Sequence, residues 1–252
     1  MASIVMVHGA FCGGWTFERF RTAFEAAGYD VIAPDLRGHG ARDSAAEVVG
    51  VSMADYAADI AAICAALPAP PILLGHSLGG LVAQMAARRA PVEALVLLAP
   101  SPPWGVAGSS LEEAITAFGL QMMSPFSSGA VEPDGGLMRR YSLDRMSAAE
   151  QAAVVRRMRP ESGRALREAL NWWLDPFMTT SLGGPLNAPV LALAGQHDVV
   201  HPPATVRQTA DRIGASFHML PGMSHWLPGE PGWEEAADWV RRWLREAAQA
   251  AA

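Results

Sequence analysis

Ile72-Leu73-Leu74-Gly75-His76-Ser77-Leu78-Gly79-Gly80-Leu81-Val82 decides the fold. Ile72–Gly75 is short, apolar and preceded by Pro70-Pro71, which predicts a buried strand. Leu78–Arg89 carries a helical pattern. Between them Gly75-His76-Ser77-Leu78-Gly79 fits the Gly-x-Ser-x-Gly turn that presents a nucleophilic serine above a sheet. Such a turn is sharp and strains the serine backbone, and the small residues at 75 and 79 let strand and helix approach. The Leu78 amide then lies at a helix N-terminus, where unpaired N–H groups and the helix dipole favour an oxyanion. A bare Gly-x-Ser-x-Gly arises by chance in about one chain in ten; the strand before it and the helix after it make it specific.

Outward from this turn, strands and helices alternate. Ile4–Val7, Tyr29–Ala33, Ala94–Ala99, Val190–Ala194 and Phe217–Leu220 also read as buried strands. Phe17–Ala27, Met53–Leu67, Ala204–Ile213 and Trp233–Ala248 read as amphipathic helices. Phe17, Phe20 and Phe24 share one face of the first, and Tyr56, Ile60 and Leu67 one face of the second. This alternation predicts an α/β fold: a mostly parallel sheet of about six strands flanked by helices.

The alternation breaks between Pro100 and Leu186, where no strand is evident. Leu111–Met123, Ala148–Met158 and Arg164–Leu174 are helical in pattern. The expected organisation is a core of residues 1–100 and 186–252, with residues 101–185 inserted as a helical cap, or lid. The cap is rich in Met, Phe and Trp. Trp104, Met122, Trp172 and Trp173 from it, with Phe11 and Trp226 from the core, are the candidate substrate-pocket residues. Arg139-Arg140 and Arg156-Arg157 read as solvated cap surface.

A nucleophilic serine needs a base, and the base an orienting acid. Val190–Ala194 runs into Gly195-Gln196-His197-Asp198, and Phe217–Leu220 into Pro221-Gly222-Met223-Ser224-His225. Both groups fall just past strand C-terminal ends, where open α/β sheets gather ligands, and in the order serine, acid, histidine. Ser77, Asp198 and His225 are the expected catalytic residues. His197 and His201 sit too near Asp198 in the chain to come from a separate loop. His218 lies within a strand, and Asp175 and Asp211 in or next to helices. The first strand ends in His8-Gly9-Ala10-Phe11. This loop is expected to supply the second oxyanion amide from Ala10, with Phe11 as the alternate, while His8 pins the loop. Cys12 reads as small buried packing.

Composition narrows the chemistry. All 19 basic residues among the 252 are Arg, so Schiff-base, pyridoxal-phosphate and P-loop lysine chemistry are excluded. The net charge of -6 and pI near 5.6 argue against a nucleic-acid groove or polybasic membrane patch. No apolar run is long enough to span a membrane. The 2 cysteines form neither a disulfide framework nor a zinc site, and with no leader pattern a cytoplasmic location is expected. The chemistry needs no metal or organic cofactor.

Taken together, His8-Gly9, Asp35-Leu36-Arg37-Gly38-His39-Gly40, Gly75-x-Ser77-x-Gly79, Gly195-x-x-Asp198 and Gly222-x-x-His225 resemble the α/β-hydrolase-fold serine hydrolases over essentially the whole chain. The resemblance implies a Ser77–His225–Asp198 triad and acyl transfer. The early first strand, with His8-Gly9-Ala10 and then Gly13-Gly14-Trp15, looks like the branch of plant methylesterases and hydroxynitrile lyases, a look bacterial carboxylesterases share. That branch implies a six-stranded core. Its lyases use a lysine directly after the catalytic histidine. Here Trp226 stands there, which argues against cyanohydrin cleavage. Ser77 likewise argues against the Asp-nucleophile dehalogenases and epoxide hydrolases.

The expected activity is hydrolysis of small to medium, mostly apolar carboxylic esters through an acyl-enzyme. The same triad also serves thioester, lactone and carbon–carbon bond hydrolysis. A ligand-binding receptor with a weak hydrolase site is the reading from another class, and sustained turnover separates it from an esterase.

Overall fold

The computed structural model describes residues 2–109, 129–171 and 175–251. In chain order the core begins with β1 (Ser3–Val7), α1 (Glu18–Ala26), β2 (Asp30–Ile32), α2 (Met53–Ala66), β3 (Ile72–His76), α3 (Leu78–Ala86) and β4 (Ala94–Leu98). Next come β5 (Ala130–Val131), α4 (Ala148–Arg157), β6 (Glu161–Ser162) and α5 (Gly163–Leu170). It closes with β7 (Val190–Gly195), α6 (Pro203–Ile213), β8 (Ser216–Leu220) and α7 (Trp233–Ala251).

All six expected strands are present in one sheet of order β2-β1-β3-β4-β7-β8, each pair parallel. Parallel strands carry helices on both faces, so their residues are apolar without alternation: β3, β4 and β7 are buried end to end. One face is packed by α1 and α7, whose Phe20, Phe24, Val240 and Leu244 meet Ile4, Leu74 and Val96. The other is packed by α2, α3 and α6 through Tyr56, Ile60, Leu81, Val206 and Ile213. The phenylalanine stripe read from the sequence is the buried face of α1 and the turn before it; Phe17, Phe20 and Phe24 have no exposed surface.

The chain leaves β1 toward β2 and then returns to place β3 on the other side of β1. This reversal opens a crevice at the strand C-terminal ends. In register, Val7 pairs with Gly75 and Gly75 with Leu97. The loop after β1 and the turn after β3 therefore emerge side by side.

One expectation fails in detail. Two strands do lie between residues 100 and 186: Ala130–Val131 pairs antiparallel with Glu161–Ser162. Two residues per strand are too few to show a period. The expected helix at Leu111–Met123 lies outside the described residues.

Candidate active site

The turn after β3 folds as its glycines require. Ser77 has φ +52 and ψ -125, a region that costs a non-glycine residue energy. Its N–H donates to the Leu98 carbonyl at 3.0 Å, and its carbonyl accepts from Gly80 N–H at 2.8 Å and Ser101 N–H at 2.9 Å. A Cβ on Gly79 would lie 2.2 Å from the His8 carbonyl oxygen, and one on Gly75 2.3 Å from that of Gly79. Only glycine permits this approach of helix to strand.

Ser77 Oγ lies 3.1 Å from His225 Nε2, and His225 Nδ1 lies 2.9 Å from Asp198 Oδ2. The second Asp198 oxygen accepts the N–H groups of Val200 at 2.8 Å and His201 at 2.9 Å, which fixes the carboxylate plane. Asp198 and His225 are buried, whereas Ser77 is partly exposed. The competing residues go elsewhere. His197 is exposed. His218 stacks on Trp239 at 3.7 Å, Asp211 is exposed, and Asp175 accepts the amides of Phe177 and Thr179.

The loop after β1 runs beside Ser77. His8 is fully buried; its Nδ1–H donates to the Gly9 carbonyl at 2.8 Å, and its Nε2 accepts from Leu36 N–H at 2.9 Å. Burial, and then repulsion from His39, pushes its pKa down to about 3, so it is a neutral pin for the loop. The two amides at issue differ. Phe11 N–H is directed at Glu161 Oε2, 3.4 Å away. Among the described residues no acceptor takes Ala10 N–H. Leu78 heads α3 and has no helical partner for its N–H.

The cavity beside Ser77 is small, about 50 Å³. Phe11 and Trp226 line it, joined by Cys12, Met138, Leu166 and Leu170. Burial pushes the Cys12 thiol up to about 12, which leaves it a protonated packing group. Trp104 does not line this cavity; its N–H donates to Thr180 and its carbonyl accepts from Arg212. Met122, Trp172 and Trp173 lie outside the described residues.

Three site residues escaped the sequence reading. His201 Nε2 meets Ser101 Oγ at 2.9 Å in the cavity wall, with the two imidazole rings of His201 and His225 5.3 Å apart. Burial, and then His225, lowers the His201 pKa to about 3, so this wall is polar but uncharged. Glu161 is a fully buried carboxylate behind the loop after β1.

A serine hydroxyl, an imidazole and a carboxylate in line, beside two amide donors, can attack a carbonyl and hold the oxyanion that forms. Among the described residues no group of side chains could hold a metal ion, and no helix is long and apolar enough to cross a membrane.

Comparison with known proteins fits this geometry. The chain is 30% identical over 230 residues to the pimeloyl-[acyl-carrier protein] methyl ester esterase of Chromobacterium violaceum, covering 88% of this chain and 86% of that one. It is 41% identical over 80 residues to the pyrethroid hydrolase of Sphingobium wenxiniae, a stretch that spans 32% of this chain and only 28% of that protein. The structure of a thermophilic esterase from Thermogutta terrifontis superposes with a TM-score of 0.73 at 25% identity, covering 98% of this chain and 90% of that one. The sequence profile of the alpha/beta hydrolase family matches residues 4–243, and the chain belongs to that family.

Proposed function

We propose that this protein is a carboxylic ester hydrolase that works through an acyl-enzyme on Ser77. The carrying observation is the unbroken line from Ser77 Oγ through the His225 ring to Asp198, at 3.1 and 2.9 Å. The names of the methyl ester esterase and the pyrethroid hydrolase support the ester class.

His225 Nε2 takes the Ser77 proton as Oγ attacks the ester carbonyl carbon. Asp198 holds the ring with Nδ1–H toward itself and stabilises the imidazolium. The carbonyl oxygen becomes an oxyanion held by the N–H groups of Leu78 and Ala10, each worth about 3–4 kcal/mol in the transition state. The carbon–oxygen bond to the alcohol breaks as His225 returns the proton to it. Water then repeats the sequence, with His225 as base, and the acid leaves with Ser77 regenerated.

The apolar wall of Phe11, Met138, Leu166 and Trp226 fits small to medium, mostly apolar esters. Residues 101–185 act as the cap that closes the site, since Met138, Ser142, Leu166 and Leu170 from that stretch line the cavity. Two buried, free cysteines fit a cytoplasmic location.

Hydrolysis of p-nitrophenyl esters from acetate to decanoate, wild type beside Ser77→Ala, tests this. Sustained turnover that falls at least about 10³-fold in the variant is expected. Background rates with Ser77 still labelled by a fluorophosphonate would move the substrate class to lactones, thioesters or diketones. No labelling of Ser77 would overturn the proposal.

A further inference from the structure

Glu161 has no solvent exposure, and its charge is met from three parts of the chain. Oε1 accepts from Tyr56 O–H on α2 at 2.6 Å and from Ser162 N–H at 2.7 Å. Oε2 lies 3.1 Å from His39 Nε2 and 3.4 Å from Phe11 N–H. His39 Nδ1 lies 3.2 Å from the Arg37 carbonyl, and Nε2 meets Glu161 as an ion pair rather than through a directed hydrogen bond. Burial opposes charge on both partners, but each sustains the other: His39 titrates above the ordinary histidine range and Glu161 below the ordinary carboxyl range.

A buried ion pair is weak evidence for stability, because apolar residues of the same volume often serve as well. What an apolar residue cannot do is accept the Phe11 N–H. Phe11 has φ +63, a left-handed conformation that a bulky side chain disfavours. The segment at Glu161 holds this residue on both sides: Glu161 takes its N–H, and Arg159 N–H donates to its carbonyl at 2.8 Å. Released, Phe11 can relax toward an ordinary backbone conformation, and the Ala10 amide is then held from one side alone, through the Gly9 carbonyl that His8 pins.

We infer that Glu161 is a positioning residue for ester hydrolysis: from the inserted segment it clamps the Phe11 peptide and so keeps the Ala10 N–H directed at the oxyanion. The inference rests on the esterase reading of the site and on Ala10 as a donor.

Two measurements test it. In Glu161→Gln, kcat for the best p-nitrophenyl ester is expected to fall at least tenfold with KM within about twofold, because the clamp acts on the transition state. Tyr56→Phe removes a neighbour of Glu161 without touching Phe11; it is expected to lower the melting temperature and leave kcat within about twofold. An unchanged kcat in folded Glu161→Gln would overturn the inference. Should that variant fail to fold, amide hydrogen exchange in the wild type decides: Phe11 is expected to exchange at least about tenfold slower than Ala10, and equal rates overturn the clamp. Failure of the esterase reading has a different signature, a wild type inert to esters and to fluorophosphonate whose Phe11 amide is still protected.

Discussion

His76 Nε2–H donates to the main-chain carbonyl of His225 at 2.9 Å, with the two rings 5.1 Å apart. The residue before the nucleophile thus holds the loop that carries the nucleophile's base. Burial, and then repulsion from His225, takes His76 well below the ordinary histidine range, so the ring is neutral and its single N–H is committed to this bond.

His76→Phe keeps the ring volume and removes the donor. The His225 carbonyl would keep only the Leu227 N–H, 3.0 Å away, and lose a hydrogen bond worth about 0.5–1.5 kcal/mol. The imidazole would lose its fixed approach to Ser77, and a displacement of about 1 Å is enough to cost on the order of 10²-fold in rate. The expected result is a 10- to 100-fold loss of kcat with KM little changed, read from steady-state kinetics on one ester. A variant as fast as wild type would show that Asp198 alone aligns His225.

Gly79→Ala is expected to be far worse than its size suggests. The added carbon would meet the backbone oxygens of His8 at 2.2 Å and Val7 at 2.3 Å, neither of which can move without separating α3 from the sheet. The loss is expected to be about 3 kcal/mol or more, against which Gly184→Ala serves as a control. Nothing lies within 4 Å of a Cβ at Gly184, so its effect should stay within about 0.5 kcal/mol. Urea denaturation of the two variants measures both.

Much of this was legible because it is local. The strand, sharp turn and helix around Ser77 lie within fifteen consecutive residues, 72–86, and the central strands are short apolar runs that a parallel sheet buries on both faces. Asp198 and His225 could be named because each follows a strand. Glu161 could not: its partners Phe11, His39 and Tyr56 come from loops and a helix more than 100 residues away in sequence, and such a pairing leaves no period or motif. Its own surroundings read as the start of a helix, since Ser162 caps α5 by accepting from Ala165 N–H. Ser101 and His201 were hidden for the same reason, 100 residues apart and joined only by the sheet.

Glu230 makes stability depend on pH. It is fully buried, and one carboxyl oxygen accepts from Ser224 N–H at 2.6 Å. Burial, against this hydrogen bond, raises its pKa from 4.5 to about 7. The folded state therefore binds the proton more tightly than the unfolded chain. The contribution is full below about pH 4.5 and is lost as pH rises to about 7, a change on the order of 3 kcal/mol. Glu230→Gln keeps an oxygen for Ser224 and removes the ionisation. Its stability relative to wild type is expected to improve by about 2–3 kcal/mol between pH 5 and pH 8. Denaturation at both pH values gives the double difference, and a difference near zero would mean that Glu230 stays ionised in the fold.

Trp226 separates two spaces. It lines the cavity beside Ser77 and also a groove of about 180 Å³ between α1 and α4, where its ring centroid lies 6.2 Å from that of Trp15. The ion pairs Arg157–Glu18 and Arg19–Glu150 span the elements that form this groove and hold it in place. Trp226→Leu would join the spaces while keeping the wall apolar, at a cost of a few kcal/mol for the lost ring contacts. Because the cavity beside the nucleophile is only about 50 Å³, added length gains most from this opening. The chain-length optimum of p-nitrophenyl ester hydrolysis is expected to move upward by at least two carbons, with turnover of the acetate within about threefold of wild type. An optimum that stays in place would put the acyl chain on the opposite wall, against Met138 and Leu166, and make those residues the ones that set substrate size.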